Sequence, residues 1–157
     1  MSFVGKKSLK KVPVIGKVIT NLHSLFIDRE DIRQELKVMK GVQESIIKDD
    51  VRWIIFPEGT RTKDTVNYTC NDFKPGAFKY PMQEKKKIVP CAIFGTHRVL
   101  DKLDKHKEYP VYVHFFEPIT PEVYKDLSTK EVALMTQNMV QAKVNEFMEL
   151  DKKTKRI

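Results

Sequence analysis

Over residues 30–48, apolar side chains recur at spacings of three and four, with Ile32, Leu36, Met39, Val42 and Ile46 forming one stripe. That period belongs to an amphipathic helix with a single buried face. Asp28 or Asp31 supplies its amino-terminal cap, and Asp49-Asp50 closes it. On either side the pattern shifts to short apolar runs: Leu25, Phe26 and Ile27 within 24–29, and Trp53, Ile54, Ile55 and Phe56 within 52–56. Both are too brief for helices and predict strands. Strand, long helix, strand is a βαβ unit, so the two strands are expected to run parallel with a right-handed crossover.

Further along, residues 87–96 predict a buried strand with Pro90 inside, which implies a bulge or a gap in its ladder. Cys91 reads there as a small core residue rather than a nucleophile. Residues 109–117 alternate through Val111, Val113 and Phe115, with His114 on the opposite side, and predict another strand. A last helix over 129–150 carries Val132, Met135, Met139, Val140, Val144, Phe147 and Met148 on one face. Residues 62–71 are polar and aperiodic, so they predict a surface loop. Pro75-Gly76 marks a turn, and residues 77–83 predict a short helix interrupted or ended by Pro81. The expected fold is α/β, a mostly parallel or mixed sheet flanked by helices, in one domain over 1–157. Residues 1–22 form its lead-in and 151–157 a basic tail.

The lead-in has a mixed character. Lys6, Lys7, Lys10, Lys11 and Lys17 surround Leu9, Val12, Ile15, Val18, Ile19 and Leu22, which recur at helical spacing. Ser8 is a possible cap, and Pro13 is tolerated only near a first turn. Such a basic amphipathic helix either covers the sheet with its lysines in water or lies in a bilayer interface with its apolar face down.

Charge narrows the partners. Lys and Arg total 29 against 21 for Asp and Glu, a formal net charge of +8, which favours anionic ligands. Nucleic acid is disfavoured because aromatic residues are not interleaved with the basic ones on any element. An anionic bilayer face or a phosphorylated substrate remains. Cys70 and Cys91 make no metal-spaced pair and read as reduced thiols. No run approaches the ~18 apolar residues of a membrane span, and no signal-peptide pattern opens the chain.

Candidate chemistry concentrates where the second predicted strand ends. Pro57 cannot donate to a ladder, so it sits where pairing stops. Gly59 lets backbone N–H groups approach a ligand, Thr60 adds a hydroxyl, and Arg61 adds a planar fork matched to phosphate or carboxylate. Ligands of open α/β sheets collect at the carboxyl ends of strands. The βαβ geometry is expected to bring Arg29, at the end of the first strand, to the same sheet edge as Arg61. Two guanidinium groups converging there make a phosphate clamp.

The string Phe56-Pro57-Glu58-Gly59-Thr60-Arg61 resembles the third signature block of the glycerolipid acyltransferases, the 1-acylglycerol-3-phosphate acyltransferase family. Phe26-Ile27-Asp28-Arg29 resembles the second block, and residues 6–16 the segment leading into it. Phe73-Lys74-Pro75-Gly76-Ala77-Phe78 and Val89-Pro90 are similar to later family elements. The resemblance implies a glycerol-3-phosphate-acyltransferase-like fold. It implies an enzyme that moves a fatty acyl group from acyl-CoA or acyl-carrier protein to 1-acylglycerol-3-phosphate (lysophosphatidic acid), making phosphatidic acid in phospholipid biosynthesis. Arg29, Glu58, Gly59, Thr60 and Arg61 would hold the acceptor phosphate. Lys74, Val89 and Pro90 are weaker substrate-side candidates. No metal or bound cofactor is implied; the acyl thioester is a co-substrate. The implied partner is the membrane surface, met peripherally from the cytoplasmic face.

One block of the family is missing from its expected place. Its Asn-His-x-x-x-x-Asp, whose His is the general base, would precede residue 6. His23 and Asp28 have the same separation, but on a strand they point to opposite faces, so the match reads as chance and no catalytic residue is assigned. His97, His106 and His114 read as structural. The expectation is a chain incomplete at its amino terminus, with Met1 an internal or misassigned start and an exposed apolar patch on that side. The alternative function is a non-catalytic fragment that binds lipid phosphate or a membrane surface.

Overall fold

The computed structural model describes residues 2–27, 31–49, 51–64, 66–98 and 110–154. The chain divides into two compact units, 1–56 and 57–157.

The first unit is a three-stranded parallel sheet with helices. Strand β1 (Ser2–Lys6) lies between β2 (Leu25–Ile27) and β3 (Trp53–Ile54). Val4 pairs with Leu25 and Lys6 with Ile27 on one side, and Ser2 pairs with Trp53 on the other. The predicted strands on either side of the long helix are therefore parallel, but a strand missed in the sequence separates them. Two buried serines anchor it. Ser2 Oγ donates to the Leu22 carbonyl at 2.8 Å, and Ser24 Oγ accepts from the Phe3 N–H at 3.0 Å.

The long helix α2 (Ile32–Asp49) forms as expected. Asp31 is its cap, with Oδ1 accepting from the N–H groups of Arg33 and Gln34 at 3.0 and 3.1 Å. Val42 and Ile46 are buried with Ile19 and Ile27 in this unit's core. Trp53 Nε1 donates to Ser45 Oγ at 2.9 Å and ties β3 to α2. Strand β3 is shorter than the 52–56 expected.

The lead-in corrects the expectation of one helix from residue 6. A 3-10 turn (Lys7–Lys11) and the short helix α1 (Ile15–Asn21) replace it. Pro13 has no N–H to continue a helix and forces the residue before it extended, as Val12 is at φ −80°, ψ 119°. Val14 then turns the chain at φ 67°, ψ −61°.

The second unit centres on an antiparallel pair, β4 (Cys91–Phe94) with β5 (Tyr112–Phe115), in the register Cys91 to Phe115 and Phe94 to Tyr112. An isolated bridge joins Ile88 to Ile119, and between it and β4 the ladder is broken at Val89-Pro90, the gap that Pro90 implied. The Pro90 carbonyl still accepts from the Phe116 N–H at 3.0 Å. Helix α3 (Gly76–Gln83), the turn α4 (Pro121–Tyr124) and the long α5 (Thr129–Thr154) complete the unit. Phe73, Phe78, Ala92, Phe94, Ile119, Tyr124, Val132, Ala133, Val140 and Val144 form its core. The α5 stripe is centred on Val132, Val140 and Val144, with Met135, Met139, Phe147 and Met148 packed around it.

The alternation of β5 is present, but Tyr112 and Phe116 pack on the core while Val111, Val113 and Phe115 are exposed. Both parities of this strand are apolar, so its pattern did not choose a face. Helix α5 also runs through Asp151, which is buried and paired with Arg98: Nη1 to Oδ1 is 2.8 Å. The helix continues into the basic tail as far as Thr154. No helix among the described residues is long and apolar enough to cross a membrane.

Candidate anion-binding loop

Residues 57–61 form a turn that is braced by the segment 70–74 and, through it, by α5. Gln137 Oε1 accepts from the Phe73 N–H at 3.0 Å, and Gln141 Oε1 accepts from the Cys70 N–H at 2.6 Å. Phe73 is buried in the core, so this segment is held on both its polar and its apolar side. The Lys74 N–H in turn donates to the Pro57 carbonyl at 2.9 Å. Glu58 Oε2 accepts twice from Asn71, from its backbone N–H at 2.8 Å and from Nδ2 at 3.2 Å.

Gly59 has φ +69°, a conformation that side chains bearing a Cβ rarely take. The Lys74 side chain lies directly against it. A Cβ built on Gly59 would stand 2.9 Å from Lys74 Cε and 3.0 Å from Nζ. Thr60, Arg61 and Lys74 are all exposed. Neither cation has an ion pair or side-chain hydrogen bond among the described residues, so their charge is available to a ligand. The loop thus offers a flat backbone surface, a hydroxyl and two cations, which suits a phosphate or carboxylate.

The carboxylate of Glu58 plays a different part. It is acceptor-only and negative, and its Oε2 is occupied by Asn71, so it shapes the turn. It also acts on Cys70, whose thiol is pushed up to about 11, first by burial and then by the Glu58 charge. Burial raises the Cys91 thiol as well. Neither cysteine is set up as a thiolate.

Arg29 and Asp28 lie outside the described residues, as does His106. Val89 is exposed and Pro90 buried at the break in the sheet. His23 is exposed, at φ +50°. His97 is held by Tyr68, with Oη to Nε2 at 3.1 Å, and His114 meets the Phe116 ring edge-on at 4.6 Å. Asn71, Gln137 and Gln141 were not singled out in the sequence. Their amides act across 13, 64 and 71 positions, a distance no local pattern reports.

The chain resembles proteins of known type over most of its length. A 1-acyl-sn-glycerol-3-phosphate acyltransferase of Cocos nucifera is 28% identical over 124 residues, 78% of this chain and 39% of that protein. One of Haemophilus influenzae is 26% identical over 146 residues, 93% of this chain and 59% of that protein. One of Saccharomyces cerevisiae is 29% identical over 145 residues, 92% and 43% respectively. This chain therefore spans between about two fifths and three fifths of their length. The crystal structure of the 1-acyl-sn-glycerophosphate (LPA) acyltransferase PlsC from Thermotoga maritima superposes with a TM-score of 0.66 at 20% identity. That match covers 94% of this chain and 56% of the other, and it establishes a shared α/β fold. The model of the acyltransferase family matches residues 1–94, which contain both the parallel sheet and the whole braced loop, and the chain is a member of that family.

Proposed function

We propose that this chain is the acceptor-binding part, and the working body, of an acyltransferase that makes phosphatidic acid from 1-acylglycerol-3-phosphate and an acyl thioester. The acceptor hydroxyl attacks the thioester carbonyl, the C–S bond breaks, and the hydroxyl proton leaves with the thiol of coenzyme A or acyl-carrier protein. The 57–61 loop holds the acceptor's phosphate, with Arg61 as its strongest electrostatic contact and Thr60, the Gly59 backbone and Lys74 around it. Arg29 is the second guanidinium of this reading. Glu58 contributes by keeping the turn in shape through Asn71. Acceptor and product are lipids, so the chain works peripherally on a membrane, at its cytoplasmic face.

The observation that carries this reading is the pair Lys74 and Arg61, exposed and without an ion pair among the described residues, on a loop whose glycine leaves the backbone bare. The names of the relatives support the reaction. The test is acyl transfer by the purified chain to lysophosphatidic acid, with acyl-CoA and acyl-carrier-protein thioesters compared. Arg61→Ala is expected to raise the acceptor KM about tenfold or more, with Arg61→Lys recovering part of it. Phosphate-dependent lipid binding with no turnover from either donor would favour the non-catalytic alternative.

A further inference from the structure

The segment 70–74 belongs to neither helix nor strand, so its backbone N–H groups need partners from elsewhere. They find them on two sides in turn. The N–H groups of Cys70 and Phe73 donate into α5, to Gln141 Oε1 at 2.6 Å and to Gln137 Oε1 at 3.0 Å. Those of Asn71 and Lys74 donate the other way, to Glu58 Oε2 at 2.8 Å and to the Pro57 carbonyl at 2.9 Å. The segment is therefore a strap, with α5 along one edge and the anion-binding loop along the other. A shift of the strap on α5 moves both of its contacts with the loop.

The two glutamines stand one helical turn apart, half-buried beside Ala133, Val140 and Val144 of the buried stripe. A primary amide in that setting costs free energy unless its polar atoms are paired. A backbone N–H only donates, so each amide must turn its oxygen to the strap. At Gln141 the other end is fixed as well, because Nε2 donates to Asn145 Oδ1 at 2.8 Å. The two contacts act on different parts of the loop. Gln137 holds Phe73, next to Lys74, whose side chain lies against Gly59. Gln141 holds Cys70, next to Asn71, whose backbone and side-chain N–H groups fix Glu58.

We infer that Gln137 and Gln141 are positioning residues for the acceptor's phosphate, setting its affinity from outside the loop that touches it. This rests on the phosphate-binding reading of residues 57–61 given above. Gln137 places the Lys74 ammonium against the Gly59 backbone, and Gln141 fixes the turn at Glu58. A misplacement of about 1 Å at such a site costs up to roughly a hundredfold. Phosphate binding serves ground state and transition state alike, so its loss appears in the acceptor KM, with kcat nearly unchanged. The loop lies within the family match, whereas both glutamines lie beyond residue 94, where that match ends.

The experiment compares Gln137→Met, Gln141→Met and Gln137→Glu with the parent chain, by calorimetric binding of a short-chain lysophosphatidic acid and by acyl-transfer kinetics. Each Met variant removes the hydrogen-bond acceptor at nearly constant size and should weaken binding about tenfold, with KM rising in step. Gln137→Glu keeps an oxygen facing the Phe73 N–H and should restore binding to within about twofold of the parent. In a Lys74→Met background, Gln137→Met should add less than about twofold, because the charge it places is already gone. Thr136→Val is the control for stability. It deletes a buried hydrogen bond to the Val132 carbonyl that stays inside α5, so it should lower the urea midpoint and leave binding alone. Met variants that bind like the parent overturn the inference, as does a Glu variant that restores nothing or a loss undiminished without Lys74. Arg61→Ala keeps the two readings apart. If it weakens binding and the glutamine variants do not, the positioning role falls and the phosphate loop stands. If the parent does not bind, or binds no better than Arg61→Ala, the loop reading itself falls and takes the inference with it.

Discussion

Lys74 lies across the α-carbon of Gly59, its Nζ 3.0 Å from the place a Cβ would occupy. The missing side chain of one residue is therefore the seat of the other's charge. Gly59→Ala meets two obstacles at once, the +69° φ and the Lys74 methylenes. It is expected to cost ~1–2 kcal/mol of stability from the backbone alone. It should also displace the ammonium and raise the acceptor KM more than it lowers kcat. Denaturant unfolding and steady-state kinetics on the same preparation check both; a changed stability with unchanged KM would separate Lys74 from the ligand.

The Glu58–Asn71 contact can be tested through a neighbour. Because Glu58's charge helps to raise the Cys70 thiol, Glu58→Gln should lower that pKa from about 11 and speed alkylation of Cys70 at mildly alkaline pH, while burial keeps it above an ordinary thiol. Cys91, raised by burial, serves as the internal control. The folded state holds the Cys70 proton to higher pH than the unfolded chain. Its stabilising contribution is whole below about 9 and disappears as pH climbs through about 11. Mass spectrometry of the two labelled peptides reads the rates.

Asp64 titrates in the opposite sense. The N–H groups of Asn67 and Val66 and the Thr69 hydroxyl all donate to its carboxylate, which lowers its pKa from 3.8 to about 2. The ionised turn is favoured above 3.8 and is lost as pH falls through 2. Carboxyl NMR should show this group titrating well below 3.8, and Asp64→Asn should shift the amide signals of Val66 and Asn67 without unfolding the core.

Arg98 and Asp151 form a buried pair with each side chain 7% exposed. Removing one partner strands a charge, so Arg98→Met or Asp151→Leu alone should cost ~3–5 kcal/mol. Replacing both should recover most of that loss. A double-mutant cycle by urea unfolding measures the coupling, and additive losses would refute it.

Several features of this chain can be read from neighbouring letters. The stripes of α2 and α5, the Asp31 cap, the ladder break at Pro90 and the turn at Gly59 all depend on residues within one or two turns of each other. Pairings across long separations cannot be read that way. Strand β1 was overlooked because five residues, two of them Gly and Lys, carry no period of their own; its place between β2 and β3 follows from hydrogen bonds made by distant segments. The same holds for the glutamines of α5 that brace the 70–74 segment, for Asp151 against Arg98, and for the face β5 turns to the core. Periodicity records which residues share a face. Packing alone selects what that face meets, because burial is scored over the whole assembled chain and not along it.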